Sequence, residues 1–200
     1  MDSALDYVQL VQEPWGKIFY DLLFTQLDLP QTPRLKILDF GSGLGVTSNH
    51  YAKWHEVTAI EPNEEMIENK RKENPYTIIH GGMESLTAYK NNYFDIVLCH
   101  NVLEYAEEKE PIIAALMGVL KPKDLLSLVK HNRVGRVFQT AVFKNDPKKA
   151  LSLLDNSSND KSVKYDAEWY QNMIALETAV ADIDEYKKAA FLNHLIVNKR

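Results

Sequence analysis

Two hundred residues, 45% of them hydrophobic and 26% charged, are enough for one globular domain with a sizeable core. The net charge of −5 argues against an indiscriminate nucleic-acid binder, and the single cysteine, Cys99, excludes a disulfide framework or a cysteine zinc cluster. No apolar run reaches the ~18 to 20 residues of a membrane span, and the acidic opening Met1-Asp2-Ser3-Ala4-Leu5-Asp6 lacks the regions of a secretory leader, so a cytoplasmic setting is expected.

Trp15, Ile18, Phe19, Leu22, Leu23 and Leu27 recur at helical spacing, which predicts an amphipathic helix over about 15–27. Pro30 and Pro33 end it. Residues 34–40 read as a buried strand, Gly41-Ser42-Gly43-Leu44-Gly45 as a tight turn, and about 46–53 as a helix. The alternation repeats. Strands are predicted at 55–60, 76–80 and 94–100, with a helix at 64–72 between the first two. A helix at 111–120 carries Pro111 in its first turn. Lys121-Pro122-Lys123-Asp124 reads as a turn and 125–130 as a fifth strand. After Asp146 the pattern weakens to a polar loop at 156–161, a helix at 168–181, a further short helix at 184–190 and a closing strand at 191–197. Apolar strands alternating with helices imply an α/β fold, a Rossmann-like, mostly parallel sheet covered by helices on both faces.

Strand, glycine turn, helix is a nucleotide-binding arrangement, because glycines permit positive φ and close backbone approach. The spacing here is G-x-G-x-G. Val46 stands where a dinucleotide site places its third glycine, which disfavours an NAD-dependent oxidoreductase. Glu61 follows the second strand, 20 residues after Gly41, where a carboxylate can accept both ribose hydroxyls. After the third strand, Gly81-Gly82-Met83-Glu84 can pass close to an adenine. Met83 would pack on the ring and Glu84 would accept from the amino group, or Glu84 caps a helix. His100 and Asn101 end the fourth strand, where ligands of open α/β sheets sit. Cys99, inside an apolar strand, reads as core.

In order and spacing, Ile37-Leu38-Asp39-Phe40-Gly41-Ser42-Gly43-Leu44-Gly45, Ile60-Glu61-Pro62-Asn63, Gly82-Met83-Glu84-Ser85-Leu86 and Phe94-Asp95-Ile96-Val97-Leu98 resemble the class I S-adenosylmethionine-dependent methyltransferases. The stretch from His100 to Tyr105, with Leu126-Ser127-Leu128-Val129 and Asn132, resembles the SmtA/CmoM-like branch, whose members methylate 5-carboxymethoxyuridine at the tRNA wobble position. The resemblance implies a methyltransferase with S-adenosyl-L-methionine as cofactor and a final antiparallel strand. It implies a cofactor site drawn from Asp39, Gly41, Ser42, Gly43, Glu61, Pro62, Met83, Glu84 and His100. An N-terminal helical part (1–33) would lid the cofactor, with Lys17 meeting the methionine carboxylate, ahead of a cofactor-binding core (34–132). The remainder (133–200) is shorter than the family's substrate-side part, with 155–166 the expected place of a reduction or a missing stretch. The turn before strand five reads Lys-Pro-Lys-Asp where the family usually has Lys-Pro-Gly-Gly.

The expected chemistry is in-line attack of an acceptor on the sulfonium methyl, which requires positioning and desolvation. Asn101, Lys130, Asn132 and Arg133 are the candidate substrate residues. Lys130, His131 or Arg133 would hold a carboxylate acceptor, which needs no general base. For a hydroxyl or amine acceptor, His100 or His131 is the candidate base. The acceptor is a tRNA nucleoside or a small molecule; a cofactor-binding protein without catalysis is the remaining alternative. The basic run from Lys121 to Lys149 is either an acceptor-binding patch or a solvated face. Neither a metal site nor a membrane partner is expected, and the oligomer is left open between monomer and homodimer.

Overall fold

The computed structural model describes residues 4–132 and 192–199. The chain opens with two helices, α1 (Ala4–Gln12) and α2 (Pro14–Leu27), then alternates. β1 (Lys36–Phe40) leads to α3 (Val46–Tyr51), β2 (Glu56–Glu61) to α4 (Glu64–Glu68), and β3 (Thr77–His80) to a 3₁₀ helix at Met83–Ala88. β4 (Phe94–His100) leads to α5 (Glu110–Val119), and β5 (Leu120–His131) and β6 (Leu192–Asn198) complete the described elements. The expected segment 133–191, with its helices at 168–181 and 184–190, its loop at 156–161 and Arg133, lies outside the described residues. No helix among the described residues is long and apolar enough to cross a membrane, and no metal-binding cluster of His, Cys, Asp or Glu occurs among them.

One sheet runs in the order β3-β2-β1-β4-β5-β6. β1 to β5 are mutually parallel and β6 is antiparallel to β5, as expected. Side chains alternate across it. Leu38, Phe40, Ile60, Val97, Cys99 and Leu126 pack with Leu116 and Val119 of α5 and Leu86 of the 3₁₀ helix. Ile37, Val57, Ile96, Leu98 and Val129 pack on the other face with Leu23 and Leu27 of α2 and Tyr51 of α3. Both faces are therefore dry, which explains why these strands read as nearly continuous apolar runs.

Three expectations change. A helix, α1, precedes the one expected at 15–27; Pro14 at the first turn of α2 separates the two. The helix expected to reach residue 72 stops at Glu68: Asn69 caps it with a last bond to Glu65 O, and the Arg71 amide turns away to donate to Leu44 O. Lys121-Pro122-Lys123-Asp124 is not a turn between elements but part of β5. The register with β4 jumps from Phe94↔Leu120 to Ile96↔Leu125, so four residues oppose Asp95. Lys123 takes φ 70° there, the left-handed conformation that a family glycine would take without strain. β6 anchors this bulge: Lys123 N–H donates to Lys199 O at 2.6 Å, and the Lys199 ammonium donates to Asn92 Oδ1, Met117 O and Leu120 O.

Asp95 sits in the bulge. It accepts from Lys36 N–H at 2.7 Å and pairs with the Lys121 ammonium. Burial works to raise its pKa, but the Lys121 and Lys36 partners outweigh it and hold the carboxyl below its usual value. A carboxyl depressed in the fold contributes stability above its unfolded pKa of about 3.9, and loses it as pH falls through the folded value. Urea midpoints of the native chain should therefore drop more steeply below about pH 4 than those of Asp95→Asn. Parallel curves would show that Asp95 carries no such linkage.

Candidate active site

The carboxyl ends of β1, β2 and β4 meet at the switch in strand order, where β1 is flanked by β2 on one side and β4 on the other. The turn after β1 is closed by β2: Gly41 N–H and Ser42 N–H both donate to Ile60 O, at 2.8 and 3.1 Å. Gly41, Gly43 and Gly45 all have positive φ, at 73°, 53° and 64°. Gly41 also lacks room for a side chain, since a Cβ there would lie 2.3 Å from Val102 Cγ2. The segment after β4 thus rests directly against the glycine turn.

Glu61 is buried at the end of β2. Its Oε2 accepts from Gly43 N–H at 2.7 Å and its Oε1 from Asn63 N–H at 2.9 Å. A carboxylate offers about four acceptor positions, so two remain. Asp39, buried at the end of β1, accepts from Ser48 Oγ–H at 2.6 Å. Burial first, against the Ser48 hydrogen bonds and with some help from the Glu61 charge, pushes its pKa up to about 6. The two buried acids thus lie close enough for their charges to interact.

Tyr7 of α1 belongs to this cluster, and sequence reasoning missed it. Its ring lies over the turn, 3.6 Å from where a Cβ on Gly43 would sit. Its hydroxyl is 3.2 Å from that of Tyr20 on α2. Burial raises the Tyr7 pKa, and the nearby Asp39 and Glu61 charges raise it further. The i, i+4 pair Tyr7 and Val11 ahead of Pro14 was the available signal. α1 is held against α2 by a close crossing at Gly16. A Cβ on Gly16 would meet Leu10 O at 2.3 Å and Val11 Cα at 2.8 Å, both backbone atoms that cannot swing aside. Gly16→Val should push α1 away. Proteolysis near residues 4–13 should accelerate while the sheet stays folded. An unchanged cleavage rate would show that the crossing tolerates the side chain.

The other candidates are distributed as follows. Ser42 Oγ, His100 Nδ1 and Asn101 Oδ1 are buried without a hydrogen-bond partner. Asn101 has φ 55°, and its N–H donates to Val129 O. His100 Nε2 is 2.8 Å from Ser127 Oγ, and burial, with His194 beside it, lowers its pKa to about 3. A group with that pKa is a poor proton acceptor near neutrality, so the general-base role expected of His100 does not suit it. His131 N–H donates to Glu104 Oε1. Pro62 is exposed, and its carbonyl accepts from His80 Nε2–H at 2.9 Å. Met83 is exposed. Glu84 is exposed and its Oε1 accepts from Gly82 N–H at 2.6 Å, the capping arrangement. Lys17 is exposed on α2. Lys130 is exposed within β5, not past it, and Asn132 is buried. A separate cavity of about 460 Å³ between α1 and the segment after α4 is lined by Val8, Gln12, Leu44 and residues 68–73, and includes none of the turn glycines or Glu61.

Residues 38–128, which hold the turn, Glu61 and the β4 end, match the family model described as a methyltransferase domain. Among curated relatives, this chain is 26% identical over 120 residues to the tRNA 5-carboxymethoxyuridine methyltransferase of Escherichia coli (strain K12), covering 56% of this chain and 46% of that one. It is 31% identical over 116 residues to the ubiquinone biosynthesis O-methyltransferase of Xanthomonas campestris pv. campestris (strain B100), covering 55% and 48%. The chain thus spans about half the length of these relatives. In fold, it resembles the crystal structure of a SAM-dependent methyltransferase from Archaeoglobus fulgidus, with a TM-score of 0.61 at 13% identity over 96% of this chain and 99% of that one. A putative S-adenosyl-L-methionine-dependent methyltransferase from Methanococcus maripaludis gives a TM-score of 0.61 at 15% identity, over 98% and 91%. The fold expected from the sequence is therefore the fold observed.

Proposed function

We propose that this chain is an S-adenosyl-L-methionine-dependent methyltransferase that binds its cofactor between the glycine turn, Glu61 and the end of β4. The observation that carries this reading is the 2.7 Å hydrogen bond from Gly43 N–H to Glu61. It joins turn and acid in one crevice and leaves carboxylate positions for a ribose. Three buried atoms without partners, Ser42 Oγ, His100 Nδ1 and Asn101 Oδ1, lie on the turn and just past β4, and a zwitterionic ligand there would supply the partners they lack. Glu61 would take the ribose hydroxyls, and Met83, Glu84 and Pro62 would border the adenine. Asp39, Gly41, Ser42, Gly43 and His100 would border the methionyl end, with Lys17 reaching its carboxylate. When bound, the cofactor supplies a methyl group on a sulfonium. The chain positions the acceptor and excludes water, the latter through α1 and Tyr7.

The acceptor we favour is a carboxylate on a modified tRNA uridine. This rests on the likeness to the Escherichia coli enzyme and on the basic residues Lys130 and Arg133, close in sequence to Asn132, which would hold the anion. It needs no general base, which agrees with the low pKa of His100. A small-molecule O-methyltransferase is the second reading, favoured by the likeness to the Xanthomonas enzyme, and it would draw on His131 as base. Titration calorimetry with S-adenosylmethionine and with NAD tests the cofactor; binding of NAD alone would overturn the whole assignment. Transfer of labelled methyl to tRNA, compared with transfer to a metabolite extract, decides the acceptor. Label confined to small molecules would remove the tRNA reading.

A further inference from the structure

A hydrogen-bonded chain runs across three elements beneath α2. Gln26 Oε1 on α2 is 2.7 Å from His194 Nδ1 on β6. His194 Nε2 is 2.7 Å from Ser127 Oγ on β5, and Ser127 Oγ is 2.8 Å from His100 Nε2 on β4. The two imidazole rings stand edge to face, 6.1 Å apart at 82°. Ser127 is completely buried.

The proton positions in this chain follow from donor and acceptor capacities. A carbonyl oxygen only accepts, so His194 Nδ1 carries the hydrogen that faces Gln26 Oε1. Burial lowers the pKa of both histidines, and each is neutral near pH 7. Neutral His194 then has a bare lone pair on Nε2, which accepts the single hydroxyl hydrogen of Ser127. Ser127 Oγ has only acceptor positions left, so His100 Nε2 must donate to it. His100 Nδ1 is consequently a lone pair. It is buried and has no partner.

We propose that Gln26, His194 and Ser127 are positioning residues that hold His100 as a hydrogen-bond acceptor for the ammonium at the amino-acid end of the bound cofactor. This rests on the methyltransferase reading above. Glu61 ends β2 and His100 ends β4, on opposite sides of β1. Neighbouring strands lie about 4.8 Å apart, so the two residues are separated by roughly two strand spacings, a span of about 10 Å. A ligand with its ribose on Glu61 that lies across the end of β1 brings its far end to β4. That end of an adenosyl amino acid carries the strongest hydrogen-bond donor of the molecule. A neutral imidazole whose buried Nδ1 lone pair is unpaired would accept from an ammonium brought to the end of β4, whereas the other tautomer would oppose N–H to N–H.

The test compares S-adenosylhomocysteine with 5′-methylthioadenosine, which keeps the nucleoside and sulfur but lacks the amino-acid end. Ser127→Ala and His194→Phe should each weaken S-adenosylhomocysteine binding by about five- to tenfold and leave methylthioadenosine binding within about twofold. His194→Gln, which returns an acceptor to the Ser127 hydroxyl, should restore most of the loss. Nitrogen-15 spectra should show His100 Nδ1 as pyridine-type in the free protein, shifting on saturation with S-adenosylhomocysteine but not with methylthioadenosine. A pyrrole-type Nδ1, or equal losses for both ligands in the variants, would overturn the proposal and leave the chain a structural feature. If the native protein binds neither ligand, the methyltransferase reading itself falls.

Discussion

Replacing Glu61 by alanine is expected to weaken binding of S-adenosylhomocysteine by about 1 to 3 kcal/mol, because it leaves buried ligand hydroxyls without their acceptor. The variant has a second effect that the structure makes explicit. Gly43 N–H and Asn63 N–H both lose the carboxylate that fixes them. The turn then keeps the Ile60 carbonyl, the Gly45-to-Ser42 bond and the Arg71-to-Leu44 bond to hold its left-handed glycines. Stability should fall as well, and a thermal midpoint measured beside the calorimetry separates the two effects. Glu61→Gln is the informative partner. Its single amide oxygen can serve only part of this set, so its affinity should lie between those of the native chain and the alanine variant. Native affinity in Glu61→Ala would remove this acid from the cofactor site.

Much of the site was legible because the signal was local. β4 occupies Phe94–His100, the range expected, since its apolar run is bounded by polar residues on both sides. The glycine turn and Glu61 declare themselves by residue type and by a separation of 20 that a strand–helix–strand unit imposes. The features that were not legible depend on partners distant in sequence. Ser127 reads as one small polar residue in an apolar strand until β6 brings His194 to it from 67 positions away. α1 is short and separated from α2 by Glu13, with Pro14 opening α2, so its periodicity has too few turns to register. The bulge in β5 was hidden by composition: Lys-Pro-Lys-Asp has the make-up of a turn, and only the pairing with Asp95 and Lys199 keeps it in the sheet. His100 shows the same limit in chemistry. The sequence places an imidazole at the end of β4, but burial, with His194 beside it, lowers its pKa to about 3, which residue type alone does not reveal.

Phe94→Ala should cost about 3 to 5 kcal/mol of folding stability, the largest single effect expected in this chain. The ring is 1% exposed, and its centroid lies 4.9 Å from that of Tyr89 and 5.0 Å from that of Tyr93. It joins the core that α5 and the 3₁₀ helix close over the sheet. Phe94 begins β4 and His100 ends it, so at about 3.3 Å per residue the cavity opens roughly 20 Å from the crevice. The loss should therefore appear in the denaturation midpoint and not in the ligand affinity of the folded protein. Measured well below the unfolding temperature, Phe94→Ala should bind S-adenosylhomocysteine within about twofold of the native chain, since a substitution this far from the site adds independently. A drop in affinity while circular dichroism still reports a folded sheet would mean that β4 transmits packing at its amino end to the crevice. In that case the division between a stabilising lower half of the sheet and a ligand-binding upper edge, on which the Glu61 and His100 arguments both depend, would not hold.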